Sequence, residues 1–211
     1  MKTWSQASAA TRRMSGLLIL VALLYVVSYL TGWYLISIRN PAAVHFAETL
    51  THTILTQRPF TTVIGALRAG NLAQAILLTF VFNLTSGAFL STTLPGILPL
   101  VGVFGVVTIT LVRGFTVGVT YPAVLASSPA AFIVGMGTLL LELGAYVFSG
   151  AAGINIALAP IFPGQQGVQS RWAAFKAAWR DAARVYVIVI ILLALGAMWE
   201  MTGIFLLMKP T

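Results

Sequence analysis

Cysteine is absent from the sequence, which removes disulfides, thiolate nucleophiles and cysteine-ligated metals together. Acidic residues are nearly absent too, with four Asp and Glu in 211 residues beside two histidines. Most hydrolytic mechanisms need a carboxylate or imidazole partner, so general acid–base chemistry has little to work with. No Gly-x-Ser-x-Gly, no His-Glu-x-x-His and no phosphate-binding glycine loop with a lysine occurs. The expectation is a protein that is not an enzyme and needs no cofactor. Charge of either sign is scarce, at 8% of residues, against about 25% in an ordinary soluble domain.

What the chain has instead is apolar surface: 59% of residues are hydrophobic and the mean hydropathy is +0.96. A soluble fold of this size could not hide so much, so the solvent is lipid. In a bilayer the backbone must satisfy itself within helices, at about 20 residues per crossing. The expected fold is all-α, a single polytopic membrane domain with spans over 16–38, 71–91, 100–124, 131–159 and 185–208. The first run is too long for a signal-peptide core, and no small-x-small cleavage site follows it. Two further segments, 41–58 and 170–184, are two-faced and read as amphipathic helices on the membrane surface. Residues 60–70 read as a short extension or a re-entrant piece.

The formal charge of +8 reports basic residues gathered at the membrane boundary, so no nucleic-acid partner is expected. With the N-terminus inside, one face holds Lys2, Arg12, Arg13, Arg171, Lys176, Arg180 and Arg184. The other holds Arg39, Arg58, Arg68 and Lys209, so the imbalance predicts a cytoplasmic N-terminus in the cell membrane. On 170–184, Trp172, Phe175 and Trp179 lie beside a basic stripe of Lys176, Arg180 and Arg184. That pattern predicts contact with lipid or with a partner subunit.

Four strongly polar residues fall inside the spans: Asn83, Arg113, Glu142 and Glu200. A charge at bilayer depth costs several kcal/mol, so such residues face the bundle interior. Arg113 lies 15 residues before the turn near 128, and Glu142 lies 14 after it. Equal distances from the turn put the two at one depth and predict a pair, with Glu200 and Asn83 in the same layer. Gly114, Gly118, Ala145, Ser149, Gly153, Gly196 and Gly203 supply the small residues that let membrane helices approach. The layer reads as a network that fixes helix register, as a path for protons, ions or solute, or as part of a partner interface. His45, Glu48 and His52, at i, i+3 and i+7, form one weak metal candidate. The plainer reading of that trio is a solvated helix face, and no metal is expected.

Residues 70–205 resemble the stage II sporulation protein M family. The resemblance is carried by Asn83, by Arg113-Gly114-Phe115-Thr116-Val117-Gly118, by Glu142 with Ala151-Ala152-Gly153, and by Ala197-Met198-Trp199-Glu200. The family's Asn before Gly114 is Arg113 here, and its His-Gly ahead of the glutamate is Thr138-Leu139. The resemblance implies a membrane-embedded subunit, since founding members anchor a peptidoglycan-degrading complex during sporulation. It also implies an alternative, a transporter or permease subunit, because some relatives look like partners of ABC-type ATPases. The expected role is a non-enzymatic scaffold within a larger membrane complex, with lipids and other subunits as partners and self-association open to it.

Overall fold

Long apolar runs punctuated by Pro, Gly and Asn become long helices with very short connections. In the computed structural model, which describes residues 2–208, every regular element is helical. Lys209 and the side chain of Lys2, both used in the charge count, lie outside the described residues. Helix α1 (Lys2–Arg13) leads into the first span, α2 (Ser15–Ser37). After a turn come α3 (Pro41–Thr56) and α4 (Phe60–Arg68), then α5 (Leu72–Phe82), α6 (Val101–Ser127), α7 (Pro129–Leu158) and α8 (Arg171–Leu207). Five helical stretches are long and apolar enough to cross a membrane: α2, Leu72–Ile97, α6, α7 and α8. The protein is a multi-pass helical membrane protein with the expected number of spans.

The helix starts follow local chemistry. Asn40 accepts from the amides of Ala42 and Ala43 and places Pro41 at the first position of α3. Ser128 alone joins α6 to α7, where its hydroxyl accepts from the Ala131 amide and Pro129 takes the first turn. The segment 60–70 forms the short helix α4.

Two expected boundaries change. The second span does not end at 91: past α5 the backbone widens into a π-helix over Asn83–Thr93, tightens into a 3-10 turn at Leu94–Ile97, and only then turns. Eleven π-helical residues are unusual, since most π segments are single turns. The surface helix expected over 170–184 is not a separate element. It is the first part of α8, a single helix of 37 residues, about 55 Å long at 1.5 Å per residue. Its continuity has a packing cause. Ala174, Ala178 and Ala182 are buried against Ala152 and Ile156 of α7 and its cap residue Ala159, so the seam between the two helices carries on past the apolar span.

Close approach at glycine holds the spans together. A Cβ on Gly118 would run into the Tyr29 carbonyl of α2, and one on Gly114 would lie 2.9 Å from the Tyr25 carbonyl oxygen. Gly153 of α7 faces the Thr92 carbonyl of the π segment in the same way. Such contacts let backbones meet in a solvent that gives no hydrophobic push between helices. The main core, with Val21, Tyr25, Val106, Ile154, Val189 and Leu193, lies where α2, α6, α7 and α8 converge.

Candidate functional site

The intramembrane polar residues come from different helices, and what they touch is not what simple depth counting predicts. Arg113 and Glu142 do not pair: among the described residues the ion pairs are Arg13–Asp181 and Arg184–Asp181. Arg113 turns toward the π segment instead. Its Nη2 donates to the Gly87 carbonyl and to the Ser91 hydroxyl, each at 3.1 Å, and its guanidinium lies 4.0 Å from the centre of the Tyr146 ring. Gly87 permits this, since a Cβ there would sit 2.7 Å from the Tyr146 hydroxyl. The second terminal nitrogen of Arg113, Nη1, is buried without a hydrogen-bond partner among the described residues, as is the Tyr25 hydroxyl.

Glu142 is held by Asn83, whose Nδ2 donates to Oε1 at 2.6 Å. The residues one, two and three turns further along that face, Ala145, Ser149 and Ala152, are all fully buried. On α8, Gly196 leaves space for the glutamate stem: a Cβ there would stand 3.2 Å from Glu142 Cγ. Glu200 follows one turn later and has no hydrogen-bond or ion-pair partner among the described residues. The expected single layer is therefore a staircase. Arg113 stands level with Tyr146, Glu142 with Asn83 and Gly196, and Glu200 one turn beyond, toward α4. The physical reason is side-chain direction. Equal backbone depth across a hairpin does not make two side chains point at each other, and Arg113 finds acceptors on a third element.

Glu142 and Glu200 open into one cavity of about 500 Å³, lined also by Asn83, Thr79, Tyr121 and Arg68 and otherwise by apolar residues such as Phe60, Leu67, Phe82 and Met201. Helix α4 and the end of α3 form its outer wall. Two carboxylates in an apolar chamber can accept protons or meet a cationic group. Among the described residues, no three His, Cys, Asp or Glu side chains gather as a metal-holding group. His45, Glu48 and His52 stand exposed along α3.

The predicted packing residues sit at helix contacts. Gly114 and Gly118 face α2, Ser149 shares a 2.8 Å hydrogen bond with Thr92, Gly153 meets the π segment and Gly203 lies against Val134. On the first part of α8, Trp172, Lys176 and Arg180 are exposed, Phe175 and Trp179 are half-buried, and Arg184 donates to Asp181 at 3.0 Å. Sequence reasoning missed Asp181, which is 4% exposed. It receives Arg13 Nε at 2.8 Å and Nη2 at 2.6 Å, a two-pronged bond that ties α1 to α8. A signal existed: Ala174, Ala178, Asp181 and Val185 follow the 4-3-4 spacing of a buried helix seam.

Residues 21–202 match the protein family described as stage II sporulation protein M. The chain belongs to the stage II sporulation protein M family. The match spans three of the five membrane-crossing stretches completely and most of α2 and α8, so membership covers the bundle and the staircase within it. Neither a curated protein nor a solved structure matches the chain.

Proposed function

We propose that this member of the family is a non-enzymatic scaffold subunit of a larger assembly in the cytoplasmic membrane, with its N-terminus on the cytoplasmic side. The observation that carries this reading is α8. At about 55 Å it exceeds the roughly 30 Å hydrocarbon layer, so its first turns stand outside the apolar region as a rigid continuation of the last span. They present Trp172, Lys176 and Arg180 at the surface while α1 and the end of α7 brace them from behind. Further support comes from how the intramembrane polar groups are used. Asn83–Glu142, Arg113–Gly87, Thr92–Ser149 and Thr93–Tyr186 all bond one helical segment to another. Basic residues concentrated on the α1 side support the orientation.

The test is purification of the tagged full-length protein in mild detergent from its native membrane, followed by native mass spectrometry. A stoichiometric membrane-protein partner, lost on charge reversal at Lys176 and Arg180, is the expected result. A monomer with no partner under conditions that preserve its fold overturns the reading.

One observation favours a second reading, a transporter or permease subunit: Glu142 and Glu200 share a single cavity. Reconstituted Glu142→Gln and Glu200→Gln proteins that fold and leave proton and cation flux unchanged would end it.

A further inference from the structure

Where α1 meets α8, a pocket of about 280 Å³ is lined by Arg13, Gln166, Ala177, Arg180, Asp181 and Arg184. Three guanidiniums surround one carboxylate, leaving a formal excess of two positive charges. Asp181 is buried and fully engaged: Oδ1 accepts from Arg13 and Arg184, and Oδ2 accepts from Arg13. It thereby fixes two guanidinium forks while most of their N–H groups remain free to bond elsewhere. The Arg13 side chain is 47% exposed and that of Arg184 36%. Hydrogen bonding to Asp181 raises the Arg13 pKa further above its ordinary value, so the charge is permanent. Arg180 has no hydrogen-bond or ion-pair partner among the described residues, and it lines the pocket with the other two.

A second depression of about 510 Å³ shares Arg180 and lies on the water side of the first, with Trp172, Phe175, Lys176 and Trp179 as its other walls. Its aromatics are mutually braced. Trp172 stacks on Phe175 at 5.5 Å between centres, Phe175 meets Trp179 edge-on at 6.4 Å, and Lys176 lies 5.1 Å over Trp172. The apolar run of α2 begins at Leu17, shortly after Arg13, and that of α8 begins at Val185, directly after Arg184. The arginine pocket therefore lies at the boundary between water and hydrocarbon, where phospholipid phosphates lie. Basic pockets beside spanning helices at this level hold anionic headgroups.

We propose that Arg13, Arg180 and Arg184, arranged by Asp181, bind the phosphate of an anionic phospholipid headgroup whose acyl chains run into the hydrocarbon beside the apolar part of α8 that begins at Val185. Guanidinium forks match phosphate oxygens in a way that a zwitterionic headgroup, which brings its own cation, satisfies less well. The scaffold reading is not needed for this site. Free phosphate shares the chemistry and is separated from lipid by the test.

The experiment uses the full-length protein in a non-ionic detergent and native mass spectrometry. Dioctanoyl phosphatidylglycerol, dioctanoyl phosphatidylcholine and inorganic phosphate are each titrated in. The expected result is one tightly held phosphatidylglycerol with about a tenfold preference over phosphatidylcholine, an energy near 1.4 kcal/mol, and no phosphate adduct at the same concentration. Arg180→Gln removes a side chain with no protein bond, so the fold is retained while the preference falls at least fivefold. Arg12→Gln, the same charge loss outside the pocket, leaves the preference in place. Equal retention of both lipids overturns the proposal. So does an Arg180→Gln protein that keeps the preference, or an Arg12→Gln protein that loses as much, which would mark diffuse surface attraction. Phosphate binding as tight as phosphatidylglycerol would replace the lipid site with a free-anion site.

Discussion

Replacing glycine by alanine at three helical positions separates close packing from helix propensity within one protein. Gly118, Gly153 and Gly144 all lie inside long helices, so each gains up to about 1 kcal/mol from the alanine preference. What opposes that gain differs by position. At Gly144 the new methyl would meet only Leu192 Cδ1 at 3.8 Å, an ordinary contact. At Gly118 it would drive into the Tyr29 carbonyl and stand 3.1 Å from the Gly32 Cα, and at Gly153 it would drive into the Thr92 carbonyl. Both obstacles are backbone, so whole helices must separate instead of a side chain turning aside. Overpacking of this kind costs about 1–3 kcal/mol and occasionally more. The net effect is a loss of about 1–2 kcal/mol at Gly118 and Gly153, and a small gain at Gly144. For a chain of this size about 2–4 °C accompanies each kcal/mol. Gly118→Ala and Gly153→Ala should therefore melt roughly 2–8 °C below wild type. Thermal melts followed by size-exclusion retention in one detergent provide the measurement. If all three alanine proteins melt together, or Gly144→Ala is the least stable, backbone contact is not what joins α2 to α6 and α7 to the π segment.

Asn83→Ala removes the donor to Glu142 and should cost about 0.6 kcal/mol and at most about 1.7. Detergent melts check this, and an unchanged midpoint would mean that water replaces the amide. Glu200→Gln removes a carboxylate that has no hydrogen-bond or ion-pair partner among the described residues, so the protein should melt at or above wild type. A fall of several degrees would show that Glu200 carries a structural bond. Asp181→Asn leaves Arg13 and Arg184 without their shared carboxylate. Since both arginines are partly exposed, the loss is held to about 1 kcal/mol. That corresponds to trypsin cutting at Arg12 and Arg13 about fivefold faster, and an unaltered cleavage rate would mean that α1 is held by something else.

The number of spans, the tight hairpin at Ser128 and the polar residues of the interior were legible from the chain, because each rests on a local or one-dimensional signal. Apolar run length counts spans. A Ser-Pro step marks a helix start, and the energetic cost of charge in lipid points every such residue inward. What was not legible depends on direction in three dimensions. Arg113 and Glu142 share a depth in sequence arithmetic, yet Gly87 and Ser91 offer the arginine acceptors that no count from the turn could supply. The π segment escaped notice because its composition, Asn-Leu-Thr-Ser-Gly-Ala-Phe-Leu-Ser-Thr-Thr, is compatible with an α-helix. Only the pairing of its hydroxyls with Ser149 and Tyr186 favours the wider coil. Asp181 was passed over for the opposite reason. A lone acid among basic residues looks like a solvated charge until the alanine seam on either side is noticed.

The π segment and the staircase are one structural event. The widened backbone begins at Asn83, the residue that holds Glu142. It presents the Gly87 carbonyl that receives Arg113, and it ends at Thr92 and Thr93, whose hydroxyls reach Ser149 of α7 and Tyr186 of α8. An α-helix in the same place would rotate its later residues by a different amount, so these contacts could not all be kept. Interhelical hydrogen bonds in membranes contribute about 0.6 kcal/mol each on average, and at least four are at stake, which offsets a good part of the poorer backbone geometry. Arg113 reaches the widened coil from α6 by the length of its side chain, where a short amide would fall short. The arginine's role is therefore to clamp the broken span to the bundle. Arg113 and the two glutamates thus stand without an ionic partner among the described residues, and of the three it is the glutamates that face the cavity beneath α4.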